Sequence, residues 1–248
     1  MWCKSNMNIK FIIEYKGTNY HGWQIQKNDE SIQGHLKKAF KLVLPSEHIN
    51  IIGSGRTDAG VHSFGQVANV KLSKDTNLDK LFYSINGIIN NDIYIKDYQI
   101  IDDDFNARFS AKTRSYKYYI SKNFSPFSKD ISWLINEEIN YNLLQKSAAY
   151  LNGEHDFSSF SKNNIDIKNK KCFIYESVWE DTGNSLIYSI KANRFLHHMV
   201  RFIVGTSIKV AKSNITLDNF IDMLNNKSIS DPHCAPAKGL FLNEVLYD

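Results

Sequence analysis

The chain has 248 residues, 42% of them hydrophobic and 13% aromatic, with only 12 Gly and 4 Pro, which excludes disorder and low complexity and suits one large domain or two small ones. Lys and Arg total 30 against 26 for Asp and Glu, a net charge of +4, too small to hold the protein to nucleic acid by bulk charge, so the placement of the cations matters more than their number. The scattered Cys3, Cys172 and Cys234 form neither a disulfide framework nor a Cys-x-x-Cys pair, and with no apolar run near the ~20 residues of a membrane span and no secretion-signal core, a reducing, cytoplasmic setting without a membrane is expected.

In chain order, Phe11 to Tyr15 reads as a strand, and Gly17 and Gly22 then bracket an aromatic loop that ends at Trp23-Gln24-Ile25-Gln26. Ser31 is a plausible N-cap for a helix in which Ile32, Leu36, Ala39, Phe40 and Val43 recur at helical spacing until Pro45. A strand at Asn50 to Ile52 and an alternating strand at Gln66 to Leu72 flank the glycine-rich segment Gly53-Ser54-Gly55-Arg56-Thr57-Asp58-Ala59-Gly60-Val61-His62. A helix from Leu78 to Ile89 and a strand from Ile93 to Ile101 complete a β-α-β-β-α-β order, the ferredoxin-like arrangement. From Arg114 the order roughly recurs: strand Ser115 to Ser121, helix Tyr141 to Leu151, a loop carrying Glu154 to Phe160, strands Cys172 to Glu180 and Ser185 to Ala192, and helix Phe195 to Ala211. A short helix from Leu217 to Leu224 and a strand from Leu240 to Tyr247 close the chain. The fold class expected is therefore α+β, with two related halves, residues 1–103 and 104–248. Asp102-Asp103-Asp104 at the boundary reads as a solvated linker, because three adjacent carboxylates cannot all face one ion.

Three segments could carry chemistry. In the glycine-rich one, closely spaced glycines make a tight loop holding Arg56 and Asp58, which local pattern alone allows to be either a surface turn or a site. It matches neither the Gly-Lys-Ser/Thr phosphate loop nor Gly-x-Gly-x-x-Gly. An aspartate beside an arginine stays ionised, so Asp58 would serve as a nucleophile or base and not as an acid. The second segment, Arg108 to Tyr119, interleaves Arg108, Lys112, Arg114 and Lys117 with Phe109, Tyr116, Tyr118 and Tyr119 and has no acidic residue. Cations for phosphates and rings for bases suit nucleic acid, although an amphipathic strand with its tyrosines in a core would look the same. In the third, Arg194, His198 and Arg201 fall at i, i+4 and i+7 of an otherwise apolar helix, and no acidic residue occurs between Gly183 and Leu217 to neutralise them. Helical spacing would point His197 and His198 about 100° apart, against a shared metal. Tyr20-His21-Gly22-Trp23 is either a ligand loop or a buried aromatic turn.

With these residues laid out, the chain resembles the tRNA pseudouridine synthase A family from about Ile9 to Val245. The motifs that carry the resemblance are Tyr15-Lys16-Gly17-Thr18, Tyr20-His21-Gly22-Trp23-Gln24, Gly55 to His62, Phe105-Asn106-Ala107-Arg108-Phe109-Ser110-Ala111, Gly153 to Phe160, Phe195 to Arg201 and Ala235-Pro236-Ala237-Lys238-Gly239-Leu240, in the family's order and approximate spacing. The resemblance implies that Asp58 is the essential aspartate, that Arg56 helps hold it and the opened RNA, that Tyr116 packs against the target uracil and that Arg201 pairs with Asp58. It further implies two ferredoxin-like halves around a central basic cleft, a homodimer, and isomerisation of uridines at positions 38–40 of the tRNA anticodon arm, with no cofactor and no metal. Arg108, Lys112, Arg114, Arg194 and His198 would contact the RNA. Attack on the ribose, addition to the uracil ring and removal of a sugar proton all remain open for the carboxylate. The chain departs from the family pattern at Ser63, where Ala is usual, at Arg194, where a small residue is common, and at Lys171-Cys172-Phe173. Met7 is an alternative start. The main alternative from another class is a non-catalytic RNA-binding protein built on paired ferredoxin-like sheets, which would give no reason for Asp58. An aspartate-nucleophile hydrolase would need a metal-ligand set or a second catalytic carboxylate, and neither is visible.

Overall fold

Alternating apolar residues at Ile9, Phe11 and Ile13 bury one face of a strand completely, as the two-residue period of a half-buried strand requires. The computed structural model describes residues 6–162, 168–227 and 232–248, so Met1 and Cys3 lie outside the described residues. The chain forms two compact units, one comprising the residues up to Ala111 together with Leu242–Asp248 and the other Lys112–Phe241.

The first unit contains β1 (Asn6–Tyr15), α1 (Ile32–Val43), β2 (Ile52–Gly53), β3 (His62–Ser73), α2 (Leu78–Ile88) and β4 (Ile93–Ile101). β1 runs antiparallel between β3 and β4, and the short β2 pairs with β3 at Ile52↔Asn69 and Gly53↔Ala68. α1 starts where Ser31 Oγ accepts from Gly34 N at 3.3 Å and α2 where Asn77 Oδ1 accepts from Lys80 N at 3.0 Å, each side chain satisfying an amide the helix cannot. Their apolar faces close on the sheet, with Phe11 ring centroids 5.7 Å from Phe40 and 5.8 Å from Phe82.

The second unit contains β5 (Thr113–Ser121), β6 (Trp133–Leu134), α3 (Tyr141–Ala149), β7 (Gly153–Asp156), β8 (Lys171–Asp181), β9 (Ser185–Ala192), α4 (Met199–Ala211) and α5 (Leu217–Leu224), and β10 (Leu240–Leu246) leaves from it. Its strands follow the order β5-β9-β8-β7, each pair antiparallel, with β6 parallel on β5. Tyr118, Trp179 and Tyr188 are fully buried within it. The Trp179 and Tyr188 centroids lie 4.8 Å apart, and the Tyr188 hydroxyl shares a 2.8 Å hydrogen bond with Ser177 Oγ.

The architecture is thus mixed α+β, as expected, but several local expectations change. The first unit extends to Ala111 instead of Asp103 and takes in the C-terminal strand. Hydrogen bonds explain this: Asn8 Nδ2 donates to the carbonyls of Asp102 and Phe105 at 2.9 Å each, Ala107 N donates to Asn69 Oδ1 at 2.9 Å, and Tyr247 OH donates to Ala107 O at 2.8 Å. Ser63 Oγ donates to Leu242 O at 3.2 Å and so ties β3 to the returning strand. Glu154 to Asp156 is not loop but part of β7, registered on β8 through His155↔Cys172. The strand expected at Asn50 to Ile52 shrinks to Ile52–Gly53. The helix expected from Phe195 starts only at Met199, because His198 sits in the left-handed region with φ 63. No described helix is long and apolar enough to cross a membrane.

Candidate active site

Asp58 lies on the loop that leaves β2 and returns as β3, and its neighbours fix that loop from below. At the base, Ser54 Oγ donates to Gln66 Oε1 at 2.6 Å while Gln66 Nε2 donates to Gly55 O at 3.0 Å. Immediately before Asp58, buried Thr57 is held twice: its hydroxyl shares a 2.8 Å hydrogen bond with Tyr15 OH, and its carbonyl accepts from Trp23 N at 3.1 Å. Beyond Asp58, Val61 N donates to Asp58 O and Gly60 N to Tyr20 O, both at 3.2 Å. His62 is fully buried, and its Nδ1 accepts from Gly17 N at 3.0 Å, so that ring nitrogen carries no proton. Within this frame Asp58 is half-buried and Arg56 exposed, an arrangement that holds the backbone of a carboxylate still while leaving its side chain accessible.

The segment from Tyr15 to Trp23 supplies most of that frame. Tyr20 and Trp23 are buried and His21 is exposed, so Tyr20-His21-Gly22-Trp23 is a buried aromatic turn. Two glycines let it approach. A methyl group on Gly17 would fall on the Val61 carbonyl, and one on Gly22, whose φ is 89, would fall on the Thr57 carbonyl.

In the second unit, Tyr116 pairs across β5 and β9 with Ile190 and packs its half-buried ring edge-on against Phe195, at 5.0 Å between centroids and 86°. Tyr118, two residues on, is a core residue whose OH donates to Pro236 O at 2.7 Å. Arg114 Nη1 donates to Asn193 O at 3.2 Å, which sets the Arg114 side chain beside the turn that carries Arg194. Arg201, in the first turn of α4, donates from Nε to Ala235 O at 2.8 Å and accepts from Ala235 N through its own carbonyl at 3.0 Å. Since α4 starts at Met199, Arg194, His198 and Arg201 do not form the helical stripe expected of them. The His197 and His198 rings lie 4.2 Å apart, so the divergence expected of helical neighbours is also not seen. Arg194 sits close enough to lower the Cys172 thiol slightly, although burial dominates and pushes that thiol up to about 11. Lys112 is exposed. Arg108 lies in the first unit, with its guanidinium 5.5 Å from the ring centroid of Phe109, which is 79% exposed.

A model of the tRNA pseudouridine synthase family matches residues 11–110 and 147–248. The tRNA pseudouridine synthase A of Thermoanaerobacter sp. (strain X514) is 38% identical over 243 residues, covering 97% of this chain and 99% of its own. That of Dictyoglomus thermophilum is 41% identical over 249 residues, covering 97% and 100%. The chain belongs to the tRNA pseudouridine synthase family. This synthase is accordingly an isomerase that converts uridine to pseudouridine in tRNA.

The sequence did not single out the groups that hold the synthase's Asp58 loop. Tyr15, Gly17, Thr57 and His62 stand in motifs of the family, but nothing in their spacing announces that Tyr15 pairs with a hydroxyl 42 residues away. In the second unit, a pH dependence of stability is expected from His233, close to Ala235. Burial first, then Lys209 and Lys212, hold this histidine below its ordinary value of 6.5. The unfolded chain therefore binds the proton more readily, and stability falls as pH drops below about 6.5. Melting curves between about pH 7.5 and about pH 5.5 should show a loss that His233→Gln reduces. An equal loss in the variant would assign the effect to other groups.

Proposed function

We propose that this synthase modifies uridines of the tRNA anticodon stem-loop, at positions 38–40, with Asp58 as its catalytic residue and Arg56 and Arg201 as the cationic partners of that carboxylate. The observation that carries the reading is the frame around Asp58. Hydrogen bonds anchor the residues on both sides, at Thr57 and at Gly60 to His62, while the carboxylate itself is half-buried and stands outside the core. A carboxylate that merely closed a surface turn would need no such support.

The chemistry agrees. Pseudouridine formation breaks the bond between uracil N1 and the ribose, turns the base and joins its C5 to the same sugar carbon, so substrate and product have equal composition and no redox partner or energy source is consumed. A stacked target must first leave the stem, at a cost of a few kcal/mol, which a stacking ring and cations on the flanking phosphates can offset. We assign the stacking role to Tyr116 and the phosphate contacts to Arg108, Lys112, Arg114, Arg194 and His198. Every route open to the carboxylate needs it ionised.

In the first unit, β4-β1-β3 with β2 on β3 and a helix after each of β1 and β3 supports a ferredoxin-like reading of that half. A related second half, a homodimer and a cytoplasmic setting complete the proposal on the family resemblance.

Unmodified tRNA transcript incubated with the protein should gain pseudouridine in the anticodon arm, read by sequencing after chemical marking of that base. Modification confined to another arm would refute the assigned target. Binding to the same transcript should weaken steeply with salt. Replacing Arg108, Lys112, Arg114 and Arg194 together by Gln should flatten that dependence, and an unchanged slope would remove them from the RNA contact.

A further inference from the structure

We propose that Tyr15 is a positioning residue of this synthase: its phenol, through Thr57, fixes the backbone from which the Asp58 side chain departs. This inference rests on the reading of Asp58 as the catalytic carboxylate.

Tyr15 is the last residue of β1, and the pairing of β1 with β3 shifts register just before it, from Ile13↔Gln66 to Tyr15↔Ser63. Such an irregularity re-aims the side chain that follows it. The ring packs 6.3 Å from Trp23, and the hydroxyl meets Thr57 Oγ1 at 2.8 Å, with Tyr15 3% and Thr57 6% exposed. A phenol so enclosed is not a surface for tRNA, yet it is bonded to the residue preceding the carboxylate.

The hydrogen bond also restrains a particular freedom. Thr57 O is already held by Trp23 N, and Gly60 N and His62 Nδ1 anchor the far side of the loop. These contacts set where the loop lies. The bond to Thr57 Oγ1 is a further anchor, on the side chain, against rotation of the residue next to Asp58. Losing it leaves a buried hydroxyl short of a partner, which the loop would relieve by shifting. Because a misplacement of about 1 Å can cost about a hundredfold in rate, the loss should appear in turnover while tRNA affinity stays constant.

The test is a mutant cycle with kcat and KM measured on tRNA transcript for folded protein. Tyr15→Phe removes only the hydroxyl, and Thr57→Val removes the matching one at nearly constant shape. Each should lower kcat by roughly 10- to 100-fold and leave KM within about twofold. Thr57→Ser keeps the oxygen and should retain most of the turnover. The Tyr15→Phe/Thr57→Val double variant should be no slower than the worse single one, because both remove the same bond. If Tyr15→Phe turns over at the wild-type rate, if the two losses multiply, or if KM rises while kcat holds, the proposal is overturned. Should Tyr15→Phe fail to fold, the contrast between Thr57→Val and Thr57→Ser decides alone, and equal rates for those two refute it. Asp58→Asn run alongside separates the levels: if it remains active, the underlying assignment fails, whereas an inactive Asp58→Asn with an unimpaired Tyr15→Phe refutes only the present inference.

Discussion

Asp58→Asn is expected to bind unmodified tRNA as the wild type does and to lower pseudouridine formation by a factor on the order of 10³ or more. The side chains are nearly isosteric, and the hydrogen bonds described at Ser54, Thr57, Gly60 and His62 use other atoms, so those bonds should persist. The loss is one of charge and basicity at a single half-buried position. Binding should persist because it draws on cations and rings spread over many residues. A gel-shift titration and a tritium-release or mapping assay on the same preparation separate the two quantities, and a variant that binds poorly as well would mean that Asp58 also organises the RNA.

The second large effect is expected at Gly22, which packs against the backbone of Thr57, Asp58 and Ala59. Its φ of 89 is a conformation that L side chains rarely adopt, and an added methyl would overlap the Thr57 carbonyl that Trp23 N holds. Gly22→Ala should therefore cost about 2–4 kcal/mol of stability through strain and overpacking. The escape route matters more for function: relief requires Thr57 to move, and Asp58 moves with it. Turnover by the folded fraction should fall by about a hundredfold. Gly87→Ala, on α2 with no neighbour within 4 Å of the added carbon, is the control: it should leave turnover close to wild type and raise stability by up to about 1 kcal/mol, since alanine is the better helix former. Urea titration combined with kcat measured below the unfolding transition distinguishes this outcome. Loss of stability with full turnover would show that the Thr57 carbonyl does not govern the carboxylate.

Much of the fold was legible because it is written locally. The strand at Phe11 to Tyr15, the Ser31 cap and the helical recurrence of Leu36, Ala39 and Phe40 each follow from a pattern or a terminus that a short window contains. What was missed depends on distant partners. β7 exists because β8 offers it an edge, and the C-terminal strand rejoins the first unit through contacts such as Ser63 Oγ to Leu242 O, 179 residues apart. The start of α4 departs from its pattern for another reason. The apolar pattern runs unbroken from Phe195, and the left-handed turn falls on His198 instead of a glycine that would have marked it. At the site, the Asp58 loop was conspicuous, but its local pattern equally allowed a surface turn. Only the resemblance gave the aspartate a role, and only the structure revealed the buried Tyr15 and His62 contacts that hold its loop.

The most direct test of Asp58 as the catalytic carboxylate of a tRNA-modifying isomerase is a pseudouridine map of tRNA from cells lacking this protein, complemented in turn with the wild type and with Asp58→Asn. Wild type should restore pseudouridine in the anticodon arm and Asp58→Asn should restore none at equal protein level. Restoration by the asparagine variant, or an anticodon arm left unmodified by the wild type, would contradict the account.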